Sequence, residues 1–128
     1  MKHVLFVEPD DIVASVYGDA LKQRGYGVAY AKSAQQAVAE ADKQVPDVVV
    51  LELQIARHNG VEFLYEFKSY TEWQNVPIVI LTSLPARELA KYSALTEKLQ
   101  VVATLRKSET TAALLVREVD SVVQAEQP

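Results

Sequence analysis

The sequence predicts a single α/β domain, a doubly wound five-stranded parallel sheet with five helices. Three observations predict it. Five short apolar runs alternate with five segments of helical periodicity along 128 residues. Most of those runs are continuous rather than alternating, as a parallel sheet covered on both faces requires. The length suits one sizeable core, and no linker, repeat or low-complexity stretch divides it. The expected domain is 1–125, and residues 126–128 form a short polar tail.

The elements follow in order. HVLFVE, 3 to 8, is a buried strand stopped by Pro9. From Asp10, residues Ile12, Val13, Val16, Tyr17, Ala20 and Leu21 keep helical spacing. Acids at the start, Lys22 and Arg24 near the end and Gly25 beyond suit a helix that Asp10 and Asp11 cap. GVAYA, 27 to 31, is the second strand. Ser33 then caps a helix with Ala34, Ala37, Val38 and Ala41 on one face. Pro46 precedes the third strand, which begins VVVL and delivers Glu52 at its carboxyl end. RHNG, 57 to 60, reads as a loop with Asn59-Gly60 as its turn signal. VEFLYEFKSY is the third helix, and Trp73 beyond it reads as a packing residue. PIVILT, 77 to 82, is the fourth strand. Pro85 suits the first turn of one further helix, with a stripe of Leu89, Tyr92, Leu95 and Leu99. VVATL, 101 to 105, is the fifth strand. The last helix runs from about Glu109 to Gln124, with Ala112, Leu115, Val116, Val119, Val122 and Val123 as its apolar stripe.

Composition narrows the function. The net charge is −4, and the 13 Lys and Arg are spread along the chain, so no nucleic-acid footprint is expected. There are no cysteines and only two histidines, which excludes disulfides and thiolate metal sites and leaves no histidine cluster. No apolar run approaches the roughly 18 residues of a membrane span. The N-terminus MKHVLFVEPDD does not read as a signal peptide. A cytoplasmic location is the expectation.

Sites in open α/β sheets form at the carboxyl ends of the strands. Glu8, Pro9, Asp10 and Asp11 end the first strand, Glu52 the third, Thr82 and Ser83 the fourth, and Arg106, Lys107 and Ser108 the fifth. Acids, a hydroxyl and a lysine therefore converge on one edge. No glycine-rich phosphate loop follows the first strand, and no Ser or Cys sits in a nucleophile elbow. That disfavours a small α/β enzyme or a flavin-binding domain.

VLFVEPDD, PDVVVLELQ followed by NG, VPIVILTS and TLRKSE, in this order, resemble the receiver domain of two-component response regulators, a (βα)5 flavodoxin-like fold. The resemblance covers essentially the whole chain. It implies a signalling domain in which an acidic pair helps bind Mg²⁺, a third-strand aspartate takes a phosphoryl group from a histidine kinase, and a hydroxyl and a lysine assist. By that resemblance Glu8 is the first acid, Thr82 the hydroxyl and Lys107 the lysine. The second acid falls on Pro9 and the acceptor on Glu52. Ser108 stands for the proline that usually follows the lysine, Thr104 for an aromatic and Gln100 for a glycine.

These departures strike the chemistry. One more CH₂ moves the carboxylate of Glu52 by roughly 1.5 Å. A misplacement near 1 Å can cost phosphoryl transfer about a hundredfold. The expectation is therefore an atypical receiver, a non-enzymatic interaction module with a degenerate acceptor site of Glu8, Asp10, Glu52, Thr82 and Lys107. A functional phosphoacceptor in a phosphorelay is the alternative. No cofactor is expected. If Mg²⁺ binds, Glu8, Asp10 and Glu52 are its candidate ligands. Expected partners are signalling proteins, a histidine kinase or a fused output domain among them. Leu114 falls off the apolar stripe of the last helix and is the candidate contact residue, there or in a homodimer through that helix.

Overall fold

A computed structural model describes residues 1–55 and 58–125. Five parallel strands form one sheet: β1 (His3–Val7), β2 (Gly27–Ala31), β3 (Val48–Leu51), β6 (Ile78–Thr82) and β7 (Val101–Arg106), in the order β2-β1-β3-β6-β7. A two-residue antiparallel pair, β4 (Gln54–Ile55) with β5 (His58–Asn59), lies apart from it. The helices are α1 (Asp11–Arg24), α2 (Ala34–Lys43), α3 (Gly60–Ser69), the short pair α4 (Ala86–Leu89) and α5 (Ser93–Lys98), and α6 (Ala112–Ala125).

The continuous apolar runs divide their side chains between two cores. Leu5 and Val7, Val49 and Leu51, and Ile78 and Ile80 face α2, α3 and the α4–α5 segment. Val4 and Phe6, Val48 and Val50, and Val79 and Leu81 face α1 and α6. Between the ends of the three central strands neither face meets water, and Val4–Val7, Val48–Leu51 and Ile78–Leu81 are apolar throughout. Edge strand β7 is covered less completely, and Val102 there is 51% exposed. Trp73 is buried, stacked on Phe67 at 5.0 Å, and packs as the sequence suggests.

Local signals fix the helix ends. Asp10 is the N-cap of α1, its Oδ1 accepting from the Ile12 and Val13 amides at 2.9 and 3.1 Å. Such a cap contributes about 1 kcal/mol. Gly25, at φ 109°, ends α1 in the left-handed conformation that glycine adopts without cost. Ser33 accepts from the Gln36 amide while Gln36 accepts from the Lys32 amide, a reciprocal start for α2.

Four local expectations need correction. The helix expected to start at Pro85 is interrupted by a 3₁₀ turn at Ala90–Tyr92, and Pro85 is its N-cap rather than part of its first turn. No residue of α4, the turn or α5 is fully buried, so little packing energy straightens the segment. Thr96 adds a side-chain bond to the Ser93 carbonyl at 2.9 Å. Of the apolar spacing in α1, Ile12 and Val16 are 76% and 56% exposed. Helical spacing fits two faces there, and the buried one carries Ala14, Tyr17, Gly18 and Leu21. In the expected RHNG loop, His58–Asn59 form β5 and Gly60 opens α3, while Arg57 lies outside the described residues. The last helix starts at Ala112 after a 3₁₀ turn at Lys107–Glu109, because Thr111 supplies the cap through its Oγ to the Leu114 amide. The tail expected at 126–128 also lies outside the described residues.

Gln100 occupies the left-handed region at φ 58° just before β7. A side chain there costs roughly 1 kcal/mol that glycine avoids. Gln100→Gly is expected to raise the unfolding free energy by up to about 1 kcal/mol, read by urea denaturation; a loss of stability would contradict this account of the turn.

Candidate functional site

The parallel ladders deliver the site residues to one edge. The Glu8 amide continues the β1–β2 ladder by donating to the Ala31 carbonyl at 2.9 Å. The Glu52 amide likewise donates to the Val7 carbonyl at 3.0 Å. Thr82 ends β6 in register with Arg106 of β7, and Lys107 follows. Gly60 lets the helix behind Glu52 close in. A Cβ there would lie 2.8 Å from Leu53 Cα and 3.0 Å from the Glu52 carbonyl oxygen. The Gly60 amide also donates to the Leu53 carbonyl.

Glu52 is 2% exposed, and donors surround its carboxylate. Oε1 accepts from Lys107 Nζ at 2.8 Å, from the Ser83 amide at 2.9 Å and from Ser83 Oγ at 3.1 Å. Oε2 accepts from Thr82 Oγ1 at 2.5 Å and from the Gln54 amide at 3.0 Å. A buried charge needs this kind of compensation. Burial pushes the Glu52 carboxyl up, but the bonds from Lys107, Thr82, Gln54 and Ser83 outweigh it and hold it below its ordinary value. Burial likewise lowers Lys107, and its two carboxylate partners, Glu52 and Glu8, more than reverse that.

Lys107 also reaches Glu8, whose Oε1 lies 2.5 Å from Nζ. Glu8 is 3% exposed. Its Oε2 accepts from the Asp10 amide at 3.0 Å, whereas Oε1 receives no aligned hydrogen bond. One ammonium thus sits between two buried carboxylates. Its loop is pinned: Thr110 Oγ1 donates to the Arg106 carbonyl and Tyr17 Oη to the Thr110 carbonyl.

Of the residues singled out in the sequence, Glu8, Glu52, Thr82 and Lys107 meet. Asp10 joins them through its backbone amide, while its side chain caps α1. Ser83, named at the end of the fourth strand but given no role there, and Gln54, which was not named, also bond to Glu52. Ser83 had a signal in its place directly after Thr82, whereas Gln54 acts through a backbone amide, which leaves none in a sequence.

A match to the family described as response regulator receiver domain spans residues 4–119. The chain belongs to that family. Receiver domains of this family are signalling modules that work with histidine kinases and output domains in two-component systems. Curated relatives include the probable transcriptional regulatory protein TcrX of Mycobacterium tuberculosis, 32% identical over 85 residues, 66% of this chain and 36% of that protein. Another is the KDP operon transcriptional regulatory protein KdpE of Escherichia coli K12, 30% identical over 95 residues, 74% of this chain and 40% of that protein. The chain therefore spans about two fifths of the length of these relatives. A CheY-like receiver domain from Methanospirillum hungatei superposes with a TM-score of 0.86 at 16% identity, over 98% of this chain and 95% of its own. Vibrio cholerae CheY4 gives 0.84 at 22% identity, over 95% and 98%. These likenesses confirm the five-stranded flavodoxin-like fold. Among the described residues, no helix is long and apolar enough to cross a membrane.

The family implies Mg²⁺, and the receiver's donor set does not fit it. Mg²⁺ demands six oxygens near 2.0–2.1 Å in octahedral array. Pro9 offers no side-chain oxygen, Asp10 Oδ1 is engaged in the cap, and both Glu52 oxygens carry several donors. The ammonium of Lys107 stands between the two carboxylates. Among the described residues, no three His, Cys, Asp or Glu form a metal-holding group.

Proposed function

We propose that this receiver is of the atypical kind, a non-enzymatic interaction module that signals without aspartyl phosphorylation. The supporting observation is the saturated carboxylate of Glu52. It stands at the acceptor position and already engages Thr82, Ser83 and Lys107. A phosphoacceptor needs an oxygen free to attack in line and a cation to neutralise the transferred group. Glu52 instead brings its own charge to the hydroxyl and the ammonium and holds them in one arrangement. The domain then presents a fixed surface to a protein partner, such as a kinase or an output domain, in the cytoplasm. The test is the amide spectrum of the wild type with and without acetyl phosphate and Mg²⁺. The Ser83 and Gln54 amides are expected to stay unshifted, and Glu52→Ala to move both. Acetyl phosphate shifting them in the wild type would overturn the reading.

The contact surface proposed is the groove between the α4–α5 segment and α6. It has a volume of about 810 Å³ and is lined by Leu89, Leu105 and Leu114 among others, with Arg117 and Glu118 beside them. Leu114 is 42% exposed. Leu114→Glu is expected to weaken self-association or partner binding at least tenfold in sedimentation or titration, leaving the unfolding free energy within about 0.5 kcal/mol of wild type. Unchanged binding would remove Leu114 from the surface.

A further inference from the structure

Lys107 opens the short loop between β7 and α6, and that loop has little to hold it in place by itself. Lys107–Glu109 form a single 3₁₀ turn with no fully buried residue. Ser108 stands where a proline usually follows the lysine in this family, so no ring fixes the backbone there. Thr110 closes the turn. Its amide donates to the Lys107 carbonyl at 3.3 Å and its Oγ1 to the Arg106 carbonyl at 2.7 Å. Both bonds are internal to the loop, so they set its shape and not its place. The bond that places it comes from Tyr17 of α1, 93 residues earlier, whose Oη donates to the Thr110 carbonyl at 2.5 Å. Tyr17 and Thr110 are 9% and 7% exposed, so without that donor a buried carbonyl would be left unsatisfied. The Tyr17 ring lies 6.5 Å from Phe6 of β1 and shares a core with Leu21 and Leu115, which fixes where its hydroxyl stands. Burial holds that hydroxyl above its ordinary value, so it stays a protonated donor at neutral pH. A second tyrosine ties α6 to the same side of the sheet. Tyr26 Oη donates to Asp120 Oδ1 at 2.5 Å, further along α6 and away from the Lys107 loop.

We propose that Tyr17 is a positioning residue of this site: its hydroxyl anchors the loop of Lys107 to α1 and so keeps the ammonium at the strand-end carboxylates. It acts through the Thr110 carbonyl. Thr110 also precedes Thr111, whose Oγ caps α6, so the same anchor fixes where that helix begins. The inference concerns the loop and not phosphorylation, and an adverse result would leave the signalling reading standing.

The experiment is trace acetylation of the folded domain with an N-hydroxysuccinimide ester, each lysine's rate read by peptide mass spectrometry. Lys43, whose side chain is 72% exposed, serves as the internal reference. Wild type, Tyr17→Phe and Tyr26→Phe are compared. Tyr17→Phe keeps the ring and removes only the hydroxyl. Its Lys107 is expected to react about tenfold faster or more, relative to Lys43, than in wild type, a factor that the loss of one buried donor supports. Tyr26→Phe also loses a tyrosine hydroxyl bond to α6, and its Lys107 is expected to react at the wild-type rate. A smaller rise in Tyr17→Phe would overturn the proposal, as would an equal rise in Tyr26→Phe, which would mark a general loosening of α6. Wild type alone supplies a second reading that needs no variant to fold. The Tyr17 hydroxyl proton is expected as a downfield nuclear magnetic resonance signal protected from exchange with water, and its absence would equally overturn the proposal.

Discussion

Lys107→Met is expected to cost this domain about 3 kcal/mol, the low end for breaking a buried ion pair by removing one partner. Methionine fills much the same space, so the loss is of charge rather than packing. Glu8 and Glu52 would then face each other without a cation, both buried. The low end is apt because the Lys107 side chain is 18% exposed, so water can partly replace it. For a domain of this size the midpoint falls by roughly 10 °C. The deficit is expected to shrink as pH falls through the depressed pKa of the Glu52 carboxyl, where wild type loses the same ion pair. Thermal unfolding between pH 4 and pH 8 measures both; a midpoint equal to wild type at pH 7 would show that the pair needs no counter-charge.

The second large effect is expected at Glu52. Glu52→Gln keeps the shape but replaces a two-oxygen acceptor by one oxygen and an amide nitrogen, which accepts nothing. The donors of Thr82, Ser83, Gln54 and Lys107 cannot all be satisfied. An orphaned buried donor costs about 1–3 kcal/mol, more where a charge is involved, so a total near 3 kcal/mol is expected. Lys107 keeps Glu8 as a partner, which limits the loss.

The pH profile carries the same information with a definite sign. The folded Glu52 carboxyl is depressed from 4.5, so its contribution is complete above that value and is lost as pH falls through the folded pKa. Lys107 is raised from 10.5, so its contribution is complete below that value and is lost as pH rises through the folded pKa. Wild type is expected to show a stability plateau between these limits, and Glu52→Gln a shallower fall on both sides. An acid limb in Glu52→Gln as steep as wild type would mean other carboxylates carry it.

The fold was legible because its three central strands are buried on both faces and their apolar runs are therefore unbroken. Asp10, Gly25 and Ser33 marked helix ends through bonds that lie within a few residues of each. The α4–α5 interruption was not legible, because Leu89, Tyr92, Leu95 and Leu99 keep helical spacing whether or not the backbone between them is continuous. At the site, Glu8, Glu52, Thr82 and Lys107 could be named from strand ends alone. What could not be read was their division of labour. Lys107 spans both carboxylates because the register of β1, β3 and β7 brings them within its reach, and register is a tertiary quantity. The role of Ser83 depends on its backbone amide as much as its hydroxyl, and only the amide direction in three dimensions reveals that.

The central claim is that Glu52, saturated by its donors, does not accept a phosphoryl group. Intact mass of the wild-type chain after incubation with acetyl phosphate and Mg²⁺ tests it most directly, with the same treatment of a phosphorylatable receiver as the positive control. The expected spectrum holds unmodified protein alone. A phosphoryl adduct that disappears in Glu52→Gln would contradict the claim and make this domain a working phosphoacceptor.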